Sequence, residues 1–80
     1  MKVTKVRVGL VGLGLVAGSH IKAYQANKDA EVVAVCDLDA KRAKLIAEKY
    51  EIAKTYTSYD ELLMDHNINT VDTVMLIIQY

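Results

Sequence analysis

Gly12, Gly14 and Ala17 stand at G-x-G-x-x-A spacing directly after the apolar run Val6 to Val11, and a helical pattern follows at once. A strand that breaks into such a turn and then into a helix has the form of a pyrophosphate-binding turn in a dinucleotide-binding βαβ unit. Gly12 permits the tight bend, and Gly14 lets backbone come close to a phosphate. Ala17, with Gly18 beside it, lets the helix pack closely on the strands. Leu15 and Val16 complete the candidate turn. The helix N-terminus offers unpaired N–H groups and a partial positive charge, so no basic side chain is required. Glycines that only bend the chain are the plainer alternative, but a bend needs one glycine and four lie between Gly9 and Gly18.

Asp37 closes the next apolar run, 25 positions after Gly12, near the ~20-residue spacing of a ribose-binding carboxylate. It would accept hydrogen bonds from ribose hydroxyls and repel the extra phosphate of NADP. Two like charges ~4 Å apart cost ~4 kcal/mol at an effective dielectric of about 20, so NAD(H) is the expected cofactor. Leu38 follows, where NADP binders often carry a polar or basic residue. Arg42, one turn into the next helix, is within reach of a 2′-phosphate and would weaken the preference; otherwise it is a solvated helix residue. The alternative for Asp37 is a strand-end carboxylate without a ligand.

Other reactive side chains read as structural. His20 has no visible substrate or orienting partner for base catalysis and reads as a helix-face histidine with a structural hydrogen bond. His66 reads as exposed near a helix end, favourable to the helix dipole. Two isolated histidines do not suggest a metal site. Cys36 is the single cysteine, reads as a small buried hydrophobe and excludes an internal disulfide. Tyr24, Tyr50, Tyr56 and Tyr59 read as packing residues. Lys41, Arg42 and Lys44 read as a solvated helix face.

The elements that would position these groups alternate in type. Lys5 to Val11 reads as the first strand and Gly14 to about Asn27 as the first helix, with Val16, Ala17, His20, Ile21 and Tyr24 at helical spacing. Glu31 to Cys36 is a continuous apolar strand of the kind buried on both faces. Asp39 reads as the N-cap of a helix from Ala40 to about Tyr50, with Ala43, Ile46, Ala47 and Tyr50 inward. Ser58-Tyr59-Asp60-Glu61 has capping-box form, opening a short helix that ends near Asn67. Val71 to Ile78 reads as the third strand.

This β-α-β-α-β order predicts an α/β half-Rossmann unit: one domain over residues 1–80, a three-stranded parallel sheet in the order 3-2-1, and helices mainly on one face. One sheet face and the edge of the first strand would then be uncovered, with Val74, Leu76 and Ile78, or Val71, Met75 and Ile77, facing water. That surface predicts self-association as a two-fold dimer.

Composition bounds the rest. Eighty residues make one small, marginally stable domain. Ten basic and ten acidic residues leave a formal net charge of +0, which argues against a nucleic-acid partner. No apolar run reaches the ~20 residues of a membrane span, and the first residues lack a signal-peptide core, so a cytoplasmic location is expected.

The segments Val8 to Tyr24 and Val32 to Ala43 strongly resemble the opening of the glucose–fructose oxidoreductase/inositol dehydrogenase/MocA family, and Tyr56 to Leu63 resembles the family's segment before its third strand. The resemblance implies an N-terminal Rossmann domain, NAD(P)-dependent chemistry on sugars and polyols, and cofactor roles for Gly12, Gly14, Ala17 and Asp37. Two features depart from the pattern. Met75-Leu76-Ile77-Ile78-Gln79-Tyr80 replaces the small residue and Thr-Pro that usually end the strand after Val71-Asp72. The family's catalytic lysine segment has no counterpart here. The reading is thus the first half of a Rossmann domain, a natural or engineered fragment that binds mainly the ADP portion of NAD and does not transfer hydride alone. The alternative is an engineered folding fragment that binds no cofactor.

Overall fold

The apolar runs on either side of the glycine turn become the two central strands of one parallel sheet. The computed structural model describes residues 5–14 and 16–73. In chain order its elements are β1 (Val6–Val11), α1 (Ala17–Gln25), β2 (Ala30–Cys36), α2 (Ala40–Tyr50), β3 (Lys54–Tyr56), α3 (Tyr59–Leu63) and β4 (Thr70–Thr73). All pairings are parallel, and the strand order is β3-β2-β1-β4.

That order corrects the expected three-stranded 3-2-1 sheet. Lys54-Thr55-Tyr56 forms an extra strand on the free side of β2. The segment beginning near Val71 therefore pairs with β1, with Leu10 opposite Asp72 and Val11 opposite Thr73. β1 is a central strand, so its edge is not uncovered. The three-residue β3 was illegible in sequence because Lys54 and Thr55 are exposed and so short a strand shows no period-2 pattern. Val74, Met75, Leu76, Ile77 and Ile78 lie outside the described residues.

Two layers of side chains flank the sheet. Val8, Leu10, Val32 and Val35 meet Ala17 and Ile21 of α1 and Ala43 and Ala47 of α2 in one core. α1 and α2 thus share a face, as right-handed crossovers running in the same direction require. The step from β3 to β4 runs the other way, and α3 lands on the opposite face. There Leu62 is fully buried, and a Cβ on Gly9 would meet Leu62 Cδ2 at 3.1 Å and Ile68 Cδ1 at 2.9 Å. The second face is therefore partly covered rather than bare.

Helix ends follow local chemistry with some shifts. Asp39 caps α2 as expected, accepting from the N–H groups of Lys41 and Arg42. Glu51 is left-handed at φ 57°, and Ile52 N–H donates to Ala47 O at 2.8 Å. α1 begins at Ala17 rather than Gly14, because the bend at Gly12 comes first and Val16 is its N-cap; Val16 lies before the helix and is exposed. Ser58 precedes α3, but its side chain makes no capping bond. α3 stops at Leu63, short of Asn67, because Asp65 turns the chain by accepting from Asn67 N–H.

β4 is tied to β1 at its start by Asn69. Its carboxamide accepts from Arg7 N–H at 2.7 Å, and its own N–H donates to Arg7 O at 3.0 Å. Arg7 Nε donates to Asn67 O at 2.6 Å.

Candidate dinucleotide site

The glycine turn lies at the carboxyl end of β1, beside the carboxyl end of β2. Gly12 N–H donates to Cys36 O at 3.0 Å, which fastens the bend to β2. Gly12 has φ 83°, a conformation open to glycine and strained for other residues. Ala17 N–H then donates to Gly14 O at 3.1 Å as α1 begins. The strand order reverses at β1, and ligands of open α/β sheets bind outside the carboxyl ends of the strands at such a reversal.

Each candidate glycine proves different. A Cβ on Gly14 would meet nothing within 4 Å. Packing does not require a glycine there, and the space beside it is open. Gly18 serves the α1–α2 contact instead, since a Cβ there would fall 2.6 Å from Tyr50 Oη. Ala17 is fully buried against the sheet. Leu15 lies outside the described residues. The N-terminus of α1 has neither a side-chain cap nor an acidic residue in its first turn, so its positive dipole end meets no anion from its own turn.

Asp37 does more than sequence alone suggests. Its Oδ2 accepts the Leu13 N–H at 3.0 Å and its Oδ1 accepts the Asp39 N–H at 2.8 Å. One carboxylate therefore braces the glycine turn against the loop before α2. Arg42 Nη1 stands 3.6 Å from Oδ2 and is half exposed. Burial pushes the Asp37 carboxyl upward, but the two N–H donors and Arg42 outweigh it and hold the group below the usual carboxylate range. An ionised carboxylate has about four acceptor positions. The two backbone donors use one on each oxygen and Arg42 stands against Oδ2, so the open position is on Oδ1.

A cleft of about 380 Å³ opens beside this carboxylate, lined by Val11, Gly12, Cys36, Asp37, Leu38 and Tyr59. Its size falls within the ~300–1,000 Å³ of small-molecule sites. Leu38, 91% exposed, and Tyr59, 46% exposed, stand on its rim. Tyr59 is the residue that sequence reasoning missed. It reads as packing, yet it lies at the start of α3 beside the strand ends, and only the chain reversal after β3 brings it there. Burial raises the Cys36 thiol, with the nearby charges of Asp37 and Glu61 adding to this. Cys36 thus forms a buried wall of the cleft.

The other tyrosines hold the scaffold. Tyr24 bonds to Asp72, Tyr56 bonds to Asp65, and Tyr50 packs over Gly18. His20 Nδ1 lies 3.0 Å from Asp72 Oδ2, the structural hydrogen bond expected of it. His66, Lys41 and Lys44 are exposed. Among the described residues no group of His, Cys, Asp or Glu could hold a metal ion, and no helix is long and apolar enough to cross a membrane.

Residues 6–78 match the model of an oxidoreductase family described as having an NAD-binding Rossmann fold. The chain belongs to this family. Inositol 2-dehydrogenase of Salmonella typhimurium is 37% identical over 67 residues, covering 81% of this chain and 20% of that protein. Trans-1,2-dihydrobenzene-1,2-diol dehydrogenase of Homo sapiens is 38% identical over 64 residues, covering 78% and 19%. The chain thus spans about one fifth of the length of the curated relatives it matches. Among solved structures, an Agrobacterium radiobacter oxidoreductase in complex with NAD+, L-tartaric acid and magnesium superposes with a TM-score of 0.85 at 30% identity, covering 92% of this chain and 22% of that one. A Lactobacillus casei myo-inositol dehydrogenase in complex with NAD(H) and myo-inositol gives 0.82 at 33% identity, covering 91% and 22%.

Proposed function

We propose that this chain binds NAD(H), holding chiefly its ADP portion at the carboxyl ends of β1 and β2. The observation that carries the reading is the convergence of three features at one place: the Gly12 bend with open space beside Gly14, the braced Asp37 carboxylate, and the cleft between Leu38 and Tyr59. The pyrophosphate would lie over Gly12, Gly14 and Val16, facing the uncapped start of α1. The open acceptor position on Asp37 Oδ1, and that on Oδ2 once Arg42 swings aside, suit the vicinal hydroxyls of a ribose. The apolar cleft suits an adenine.

The same carboxylate disfavours the 2′-phosphate of NADP. Arg42 moderates that preference while its guanidinium stays beside Asp37. When bound, the cofactor's nicotinamide would accept or release hydride. As part of a longer oxidoreductase acting on a sugar, a polyol or a related compound, these residues would supply binding and orientation.

Among the described residues the second sheet face carries the five-residue α3 and Ile68, and Leu63 at the end of α3 and Met64 just after it are exposed. This supports self-association as a homodimer through that face.

Calorimetric titration tests the nucleotide reading. Saturable heat is expected with NAD at millimolar concentration or below, and NADP is expected to bind at least tenfold more weakly. Asp37→Ala should narrow that difference, with its fold checked by circular dichroism. No saturable binding of NAD by the folded wild-type chain would favour a scaffold that binds no cofactor.

A further inference from the structure

α1 rests on the sheet through Ala17 and Ile21, both fully buried over the core. Its contact with β4 is of another kind. His20 Nδ1 and Tyr24 Oη, one turn apart on the helix, both reach the single oxygen Oδ2 of Asp72, at 3.0 and 2.8 Å. Asp72 stands opposite Leu10 in the β1–β4 register, so its side chain rises on the α1 face of the sheet. Its carboxylate is 19% exposed. Burial raises this group, but His20 and Tyr24 more than offset it and hold the carboxyl below its ordinary value. The carboxylate is thus a fixed anionic post beside the helix, held at its fourth and eighth residues.

His20 is the fourth residue of α1, next after Ala17, Gly18 and Ser19. Its own N–H donates to Val16 O at 3.3 Å, closing the first helical turn on the residue that leaves the glycine bend. The tether therefore grips the turn whose amides face the proposed pyrophosphate. Apolar contacts at Ala17 and Ile21 hold the helix down but tolerate small rotations about its axis; a short bond to a strand at one side does not.

We infer that His20 is a positioning residue for the dinucleotide: by bonding through Nδ1 to Asp72 on β4, it sets the rotation of α1 and hence the aim of its N-terminal amides at the pyrophosphate. The inference rests on the nucleotide site described above. His20 itself touches no ligand. Tyr24 shares the acceptor and supports the same post. The asparagine side chain can place its amide nitrogen near the position of a histidine Nδ1, whereas glutamine reaches farther, so the two amides separate geometry from polarity.

The experiment is calorimetric titration of the full chain with ADP and, separately, with adenosine. The variants are His20→Ala, His20→Asn and His20→Gln, with thermal melts confirming that each folds. His20→Ala should weaken ADP binding about tenfold and leave adenosine binding within twofold of wild type, since adenosine has no pyrophosphate to be aimed at. His20→Asn should recover most of the loss and His20→Gln little of it. In the ligand-free chain, the Gly14 and Val16 amide resonances should move in His20→Ala and return in His20→Asn. Equal weakening of ADP and adenosine would mean general loosening and overturn the assignment, as would wild-type ADP affinity in His20→Ala or no recovery in His20→Asn. If the wild-type chain binds neither ligand, the nucleotide site fails and this inference fails with it. Should His20→Ala unfold, Asp72→Ala, which removes the acceptor shared by His20 and Tyr24, carries the same comparison and is expected to give the same selective loss of ADP affinity.

Discussion

Gly12 and Gly14 are separated by one residue and answer to different constraints. Gly12 is required by its own backbone, at φ 83°. Replacing it with alanine should destabilise the chain by on the order of 1–3 kcal/mol, whether or not ligand is present. Gly14 is required by no packing contact among the described residues, since a Cβ there meets open space. Gly14→Ala should leave the melting temperature nearly unchanged and weaken NAD binding by at least tenfold. Thermal melts with and without NAD check both. If Gly14→Ala binds as wild type, the pyrophosphate does not approach this residue. Asp37 is a mixed case, because it braces Leu13 and also faces the cleft. Its removal should cost both stability and affinity.

At the scale of elements, the weakest piece is α3. It has five residues, no side-chain cap and one fully buried anchor, Leu62. Leu62→Ala should cost ~2–5 kcal/mol, and in so small a domain that is much of the stability. Chemical denaturation would show it; a loss below ~1 kcal/mol would mean that α3 contributes little. The loop after α3 is held by Asp65, which accepts from Tyr56 Oη at 2.6 Å, from Asn67 N–H at 2.9 Å and from Lys54 Nζ at 3.1 Å. The Tyr56 hydroxyl first, then the other donors, lower its carboxyl to about 2. A depressed carboxylate stabilises the fold above its unfolded value near 3.8 and loses that contribution as pH falls towards about 2. Asp37 and Asp72 are lowered as well and act in the same direction. The melting temperature should therefore drop steeply between pH ~4 and ~2, and Asp65→Asn should flatten that slope. An Asp65→Asn profile parallel to wild type would refute this role for Asp65.

At the scale of the molecule, asymmetry of coverage among the described residues is the governing fact. One sheet face lies beneath two helices, while the other carries α3, Leu62 and Ile68. Tyr59, Leu63 and Met64 add exposed apolar area at its margin. A face of that kind favours association, and sedimentation at tens of micromolar is expected to give the mass of a dimer. A monomer across that range would remove the proposal while leaving the nucleotide site intact, since the strand ends and the glycine turn belong to one chain. The matched relatives are about four times as long as these 80 residues.

The sequence alone determined what depends on neighbours in the chain. The bend at Gly12, the cap at Asp39, the stripe Ala43–Ala47 and the carboxylate at the end of β2 follow from residue type and spacing, because φ/ψ limits, capping and helical period act over a few positions. Tertiary structure decided what depends on remote partners. β3 is too short and polar to show a period, yet it takes the open side of β2 and sends β4 to the other side of β1. That reversal brings Tyr59 to the cleft and places Asp72 beneath His20, 52 residues earlier in the chain. Strand order and such meetings are settled by which edges and faces remain to be filled, and no local pattern records them.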